Sequence, residues 1–298
     1  MSSMPTGINI KRSPKSRWVT ADFHIHSIYS DGGFTPARIL KYAALHFLDV
    51  IAIADHSEIK GALEGKSLAE NHPELPLTLT AQEVSAGNRF HFLLINSNQS
   101  RSEFTKDNIR DCLTEHRRLG GVTIVAHPWT MPNSKWARNC LRDLINADLV
   151  DGIELFNSAA LDISHIRPIW ERIWEEWVVP YKLGVFGGSD FHSLHKGRYI
   201  GTGRTYLKVY SPGEQGILDA LRARRCVAGL FGNQTNGPDP VESGLLWGQE
   251  PWSSDLQRFR GNLQKRLVTG LKYYTPAYRR LFLNLFDAGH YQLIADLL

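Results

Sequence analysis

Cysteine is scarce. The 298-residue chain has three, at positions 112, 140 and 226, an odd number and widely spaced. That excludes a disulfide framework and a cysteine-built zinc knot, and makes a reducing compartment, the cytoplasm, the expected setting. No stretch reaches the roughly 18 apolar residues of a membrane helix, so no membrane span is expected. The first twenty residues, MSSMPTGINIKRSPKSRWVT, lack the apolar core of a secretory leader. Internal repeats and low-complexity tracts are absent too. Charge of one sign does not dominate: 34 Lys and Arg face 30 Asp and Glu, a net +4. The bases gather at the ends. Lys11, Arg12, Lys15 and Arg17 have no acid among them, and seven bases after residue 250 face only Asp255, Asp287 and Asp296. The middle is therefore net acidic, which suits a chain that holds cations. The basic ends read as solvated termini. They leave room for nucleic acid without indicating it.

What is present is ordinary globular composition, 42% hydrophobic and 21% charged. Short β-rich runs at 17–24, 48–54, 77–84, 90–95, 121–126, 149–156, 181–188, 205–209 and 226–228 alternate with helical stretches at 35–47, 59–71, 103–119, 163–178 and 214–223. Thr35 and Pro36 read as the N-cap and first residue of a helix. Gly87-Asn88 reads as the turn of a hairpin. This alternation predicts an α/β fold with largely parallel strands. About seven such units suit a barrel, although periodicity leaves an open sheet as an alternative. The chain divides into a flexible basic tail (1–17), a barrel (18–229) and a C-terminal extension (230–298). The extension opens with a loop rich in Gly, Asn and Pro. Helical spacing follows over 255–298, broken at Gly270, Pro276 and Gly289, and reads as short helices packed on the barrel, or as a face for a partner.

The chemistry lies at the strand ends. His24 and His26 are two apart at the end of the first strand, so alternation points both to one side. Asp31 follows in a Ser-Asp-Gly-Gly turn. His56 follows the strand 48–54, Glu83 ends the next, His91 opens the one after, His127 ends 121–126, and Asp190 and His192 close 181–188. Six of the twelve histidines and three carboxylates thus fall where parallel barrels build active sites. Imidazole and carboxylate suit borderline-to-hard ions. At about three to four protein ligands per ion, nine residues supply two or three divalent ions, with zinc, manganese or iron as candidates.

The ordered set His-x-His-x4-Asp (24–31), Ala-Asp-His (54–56), Glu83, His91, His127-Pro128 and Ser-Asp-x-His (189–192) resembles the PHP (polymerase and histidinol phosphatase) superfamily. The resemblance covers about residues 18–229. It implies a distorted (β/α)7 barrel with a trinuclear site. By motif, His24, His26, Glu83 and Asp190 would hold the first ion. Glu83 would bridge to a second held by His91 and His127, and Asp31, His56 and His192 would hold the third. Ser57 stands where relatives have an acidic or amide residue. Only 35 residues separate His91 from His127, too few for the insertion domain of some nucleotide-cleaving members. Asp31 is similar to the general phosphoesterase branch rather than the histidinol-phosphatase branch. Residues 203–228 also resemble a branch similar to carbaryl hydrolases, which cut carbon esters.

The expected function is a metal-dependent hydrolase, a phosphoesterase acting on a small phosphorylated molecule or nucleotide. The attacking hydroxide would come from water whose pKa the ions lower from 15.7 toward about 7. Hydrolysis of a carbon ester or amide on the same site is the alternative, and a non-catalytic metal-binding scaffold is the third reading. Cationic candidates near the ligands are Lys60, Arg89, Lys196 and Arg198. Arg198 is the expected phosphate contact, and His195 the residue that protonates the leaving group.

Overall fold

Ten strands form a single sheet in the order β10-β9-β8-β1-β2-β3-β4-β5-β6-β7. They are β1 (Arg17–Ile25), β2 (Val50–Ile53), β3 (Leu77–Ser85), β4 (His91–Ile95), β5 (Val122–Ala126), β6 (Gly152–Asn157), β7 (Gly184–Gly188), β8 (Gly203–Val209), β9 (Cys226–Leu230) and β10 (Leu246–Gly248). The helices are α1 (Pro36–Leu45), α2 (Lys60–Glu70), α3 (Ile109–Arg118), α4 (Lys135–Asn146), α5 (Ile163–Ile173), the one-turn α6 (Val179–Tyr181) and α7 (Gly213–Arg222). The computed structural model describes residues 16–87, 89–157, 163–194, 199–230 and 246–248, with the backbone alone for 163–167, 230 and 246–248. The expected tail, nearly all of the expected extension, and His195, Lys196 and Arg198 lie outside the described residues. Among those described, no helix is long and apolar enough to cross a membrane.

Local sequence accounts for the main elements. The Thr35 side chain accepts from the Arg38 N–H, and Pro36 takes the first helical position, where its missing N–H leaves no bond unmade. β2, Val-Ile-Ala-Ile, is buried throughout, as a strand covered on both faces must be. The sheet is less parallel than the alternation predicts. β1–β2, β2–β3, β5–β6 and β6–β7 run parallel, but β4 runs antiparallel to both neighbours. The cause is the short connection after Ser85, which can only return a strand beside the one it leaves. Strands β8, β9 and β10 also add antiparallel.

The sheet curls until its ends nearly meet. Near the chain-entry end, β8 lies between β1 and β7. Thr205 Oγ1 and the Gly187 backbone are bonded there at 3.0 Å. A Cβ on Gly203 would overlap the Gly188 carbonyl, so glycine is what permits this approach. At the other end β1 meets the chain just past β7 directly: the His26 N–H donates to the Phe191 carbonyl at 2.9 Å.

Inward rows of Val19–Ala21–Phe23, Val50–Ala52–Ala54, Leu79–Ala81, Leu93–Ile95 and Val122–Ile124–Ala126 fill the barrel, with Ile217, Leu218, Ala220 and Leu221 of α7 against them. Separate apolar clusters fill the space under α1 and α2 and under α3, α4 and α5. Because successive residues alternate faces, each inward row points on to its next member. For Leu79–Ala81 that is Glu83, for Ala52–Ala54 it is His56, and for Ile95–Leu93 it is His91. On β1 the register with β2 shifts between Asp22 and Ile25. Past that irregularity the inward places belong to His24 and His26.

Candidate metal centre

Three groups of side chains on this end of the barrel bring ligand atoms within 4.8 Å of one another: His24, His26 and Asp190; His24, Glu83 and His127; and His26, Asp31, His56 and His192. Glu83 is the hub. Its Oε2 lies 3.3 Å from His24 Nε2, His26 Nε2 and His56 Nδ1. Its Oε1 lies 2.8 Å from His91 Nδ1 and 2.9 Å from His127 Nε2. Asp190 Oδ1 sits 3.2 Å from His24 Nε2 and 3.3 Å from His26 Nε2. Asp31 Oδ2 sits 3.2 Å from His192 Nε2 and 3.6 Å from His56 Nε2.

These residues fit divalent ions. His24 Nε2 and both ring nitrogens of His26 are buried with no hydrogen-bond partner, although carboxylate oxygens stand 3.2–3.3 Å from the two Nε2 atoms. Ligands about 2.0–2.2 Å from one tetrahedral ion stand about 3.3–3.5 Å from one another. The spacing is that of neighbours sharing an ion, with lone pairs aimed at a common space.

The electrostatics agree. Burial would lower the His24 pKa, but Glu154, Asp190 and Glu83 raise it well above the usual value. Burial acts likewise on His26, where Asp190 and Glu83 raise it to about 9. Burial would raise the Glu83 and Asp190 carboxyls, yet the facing imidazoles hold both well below the usual range. The carboxylates thus stay ionised and favour positive charge at the facing imidazoles.

The backbone is strained where it delivers ligands. His127 has φ 24°, Asp190 φ 50° and Ser57, beside His56, φ 54°. Non-glycine residues adopt such angles at a cost of order 1–3 kcal/mol each, and they persist where the surroundings enforce them. Ser57 is held by its N–H, which donates to the Glu83 carbonyl at 2.8 Å.

No family model matches the chain. It is 29% identical, over 149 residues, to an uncharacterised protein of Methanocaldococcus jannaschii, covering 46% of this chain and 81% of that one. Among solved structures it resembles a two-domain protein from Bacteroides vulgatus containing a predicted PHP-like metal-dependent phosphoesterase. The identity is 19% and the TM-score 0.54, over 77% of this chain and 70% of that one. The fold is PHP-like.

Within this PHP-like barrel the nine residues expected from the motifs lie around one another, and the three groups overlap. His24 belongs with Glu83 and His127 as well as with Asp190, and His26 also faces the Asp31 group. His91 reaches Glu83 but enters none of the three groups. Its position follows from register. His91 pairs with Ser85, and Glu83 is the diagonal neighbour on the same face. Of the cationic candidates among the described residues, Lys60 is paired to Glu58 at 3.0 Å and Arg89 is exposed.

Two carboxylates, Glu154 and Asp22, escaped the sequence reading, and Asp55 stood in the Ala-Asp-His motif without a role. Glu154, buried on β6, lies 3.1 Å from His24 Nδ1 and accepts from the His127 N–H at 2.8 Å and from Asn157 Nδ2 at 3.0 Å. Asp22 accepts from the backbone N–H of His24, Ser189 and Gly201, and burial pushes it up to about 6. Asp55 accepts from the Ser27 N–H and from the hydroxyls of Ser27 and Ser30. Asp55 had a signal, its place before His56. Glu154 and Asp22 sit inside strands, with nothing local to mark them.

Proposed function

We propose that this chain is a metal-dependent hydrolase that cleaves phosphoesters of a small organic molecule or nucleotide. The observation that carries the reading is the set of buried imidazole nitrogens of His24 and His26 without hydrogen-bond partners, with Glu83 and Asp190 oxygens beside them at the spacing of ligands about shared ions. In this reading His24, His26, Asp31, His56, Glu83, His91, His127, Asp190 and His192 hold two or three divalent ions of zinc, manganese or iron. Such ions, when bound, activate water near neutral pH and offset charge on a phosphoryl group.

The chain's own residues do the rest. Glu83 joins the groups, so that a substrate oxygen near one is also near the next. Glu154 holds His24 through Nδ1, which leaves Nε2 facing the cluster. Thr130 Oγ1, 2.9 Å from His127 Nδ1, does the same for His127. Arg198 is assigned to the phosphate and His195 to the departing oxygen, from their places after Asp190 and His192 in the sequence. Residues 18–229 form the catalytic unit.

The test is a side-by-side assay of phosphate and carboxyl esters on purified protein supplied in turn with Mn²⁺, Zn²⁺ and Fe²⁺, with bound metal measured by elemental analysis. Phosphate-ester turnover that needs metal supports the proposal. Turnover of carboxyl esters alone moves the chemistry to carbon, and a protein that binds no metal and cleaves neither ester refutes it.

A further inference from the structure

The donor cluster opens to one side. His24, His26 and Glu83 are at most 1% exposed, whereas the side chains of Asp31, His56 and His192 are 54, 38 and 34% exposed. A substrate therefore meets the Asp31 group first. Whatever surrounds that group touches the part of the substrate that does not react.

Part of that surround is apolar. Seven large hydrophobic side chains are exposed among the described residues, and Ile28, Tyr29 and Leu194 are three of them. These three are tied to this edge. Ile28 and Tyr29 stand between His26 and Asp31, and Leu194 stands two residues beyond His192. The Gly33 N–H donates to the His192 carbonyl at 2.6 Å, which fixes the β1–α1 loop beside the segment that carries Leu194. The Tyr29 hydroxyl donates to Glu64 Oε2 of α2 at 2.8 Å. A single exposed leucine signifies nothing. Three exposed apolar side chains on two loops joined beside one charged opening offer a surface to an apolar group.

We infer that this rim binds the non-reacting part of the substrate, and that the substrate is a phosphoester whose organic group is apolar, aliphatic or aromatic, rather than polyhydroxylated. The inference rests on the phosphoesterase reading above. The anionic end descends to Glu83, His24 and Asp190, and the organic group stays at the surface against Ile28, Tyr29 and Leu194.

Ethyl, butyl, hexyl and octyl phosphate test this, because their leaving alcohols are about equally acidic and the chemical step is constant across the series. A fully buried methylene is worth about fourfold in binding. On a one-sided rim kcat/KM of the metal-supplied enzyme should rise about twofold or more per methylene. In Tyr29→Ser and Leu194→Ser that slope should flatten, and further in the double variant. Calorimetric binding of the matching alkylphosphonates, which resist hydrolysis, should show the same slope in affinity. These residues are exposed, so folding should survive; Leu63→Ser, on the solvent face of α2, is the control and should keep the wild-type slope.

Phosphate esters cleaved at rates independent of chain length, with flat phosphonate affinities, would overturn the rim and leave the phosphoesterase reading intact. A wild-type slope that persists in Tyr29→Ser, Leu194→Ser and their double variant would also overturn it. Chain-length-dependent phosphonate binding that these three variants lose, with no ester cleaved, would keep the rim and discard the phosphoesterase reading.

Discussion

The inner and outer halves of the donor cluster are built to different standards. In the inner half two imidazoles have the rear nitrogen committed: His24 Nδ1 to Glu154 and His127 Nδ1 to Thr130. Glu154 also accepts the His127 N–H, so one buried carboxylate sets two ligands at once. In the outer half Asp31 faces His192 and His56 and accepts the adjacent Ser30 hydroxyl at a long 3.4 Å, while His192 Nδ1 is bonded to the Asp190 carbonyl. Supporting hydrogen bonds orient ligands and raise their basicity. The inner half is thus preorganised for tight ion binding, and the outer half keeps an open approach with less support.

The largest expected effect joins the two halves. Glu83→Gln removes the charge shared by His24, His26, His56, His91 and His127. Turnover should fall by on the order of 10³, the upper scale for losing a preorganised electrostatic group. Retention of activity within about tenfold would show that the halves act separately.

Next comes Glu154→Gln, which should weaken metal binding in the inner half about 10- to 100-fold and spare the outer half. Chelator competition measures it. Gly188→Ala should act in the same direction, because its Cβ would overlap Glu154 Oε1. Uniform weakening of every ion in Glu154→Gln would dissolve the distinction drawn above.

Asp31→Asn should be milder. The metal-to-protein ratio falls by about one, and the inner ions stay. Elemental analysis after mild chelation reports it, and an unchanged ratio would place Asp31 outside the ligand set.

The smallest effect lies away from both halves. His116 is buried against Gly121, and desolvation lowers its pKa to about 4. Between about 6.5 and 4 the unfolded chain binds a proton that the folded one refuses, so this contribution is whole above pH 6.5 and lost as pH falls through the window. The loss reaches ~3 kcal/mol at its acid end. Urea midpoints at pH 7 and pH 5 should differ less in His116→Gln than in wild type. An equal difference would assign the acid sensitivity to other groups.

Much of this centre was legible in the sequence because ligands on strands follow a rule of two. Glu83, His56 and His91 continue the inward rows of their strands, and that alternation is visible in the sequence before any coordinates. The Gly87 turn marked the hairpin that sets His91 near Glu83. The supporting tier was not legible. Glu154 lies in the apolar run Gly-Ile-Glu-Leu-Phe-Asn, and its partners His24 and His127 are distant in the chain. Only barrel closure brings them together. The sharing of His24 and His26 between groups was hidden for the same reason: it depends on an irregularity in β1 pairing that no residue pattern announces.

The seam where β1 meets the chain past β7 has a consequence for how the molecule comes into being. His24 and His26 lie on one side of that seam, Asp190 and His192 on the other, and the His26–Phe191 bond crosses it. Contacts between such distant stretches form late, since the loop between them must first be closed. On the ribosome, a nascent chain displays His24 and His26 long before Asp190 has been synthesised. The early segment can hold an ion only loosely, and the complete pocket exists only after nearly the whole barrel has left the exit tunnel. In the proposed reading, ion capture would be the final latch of folding, and the seam would open more readily in protein stripped of metal.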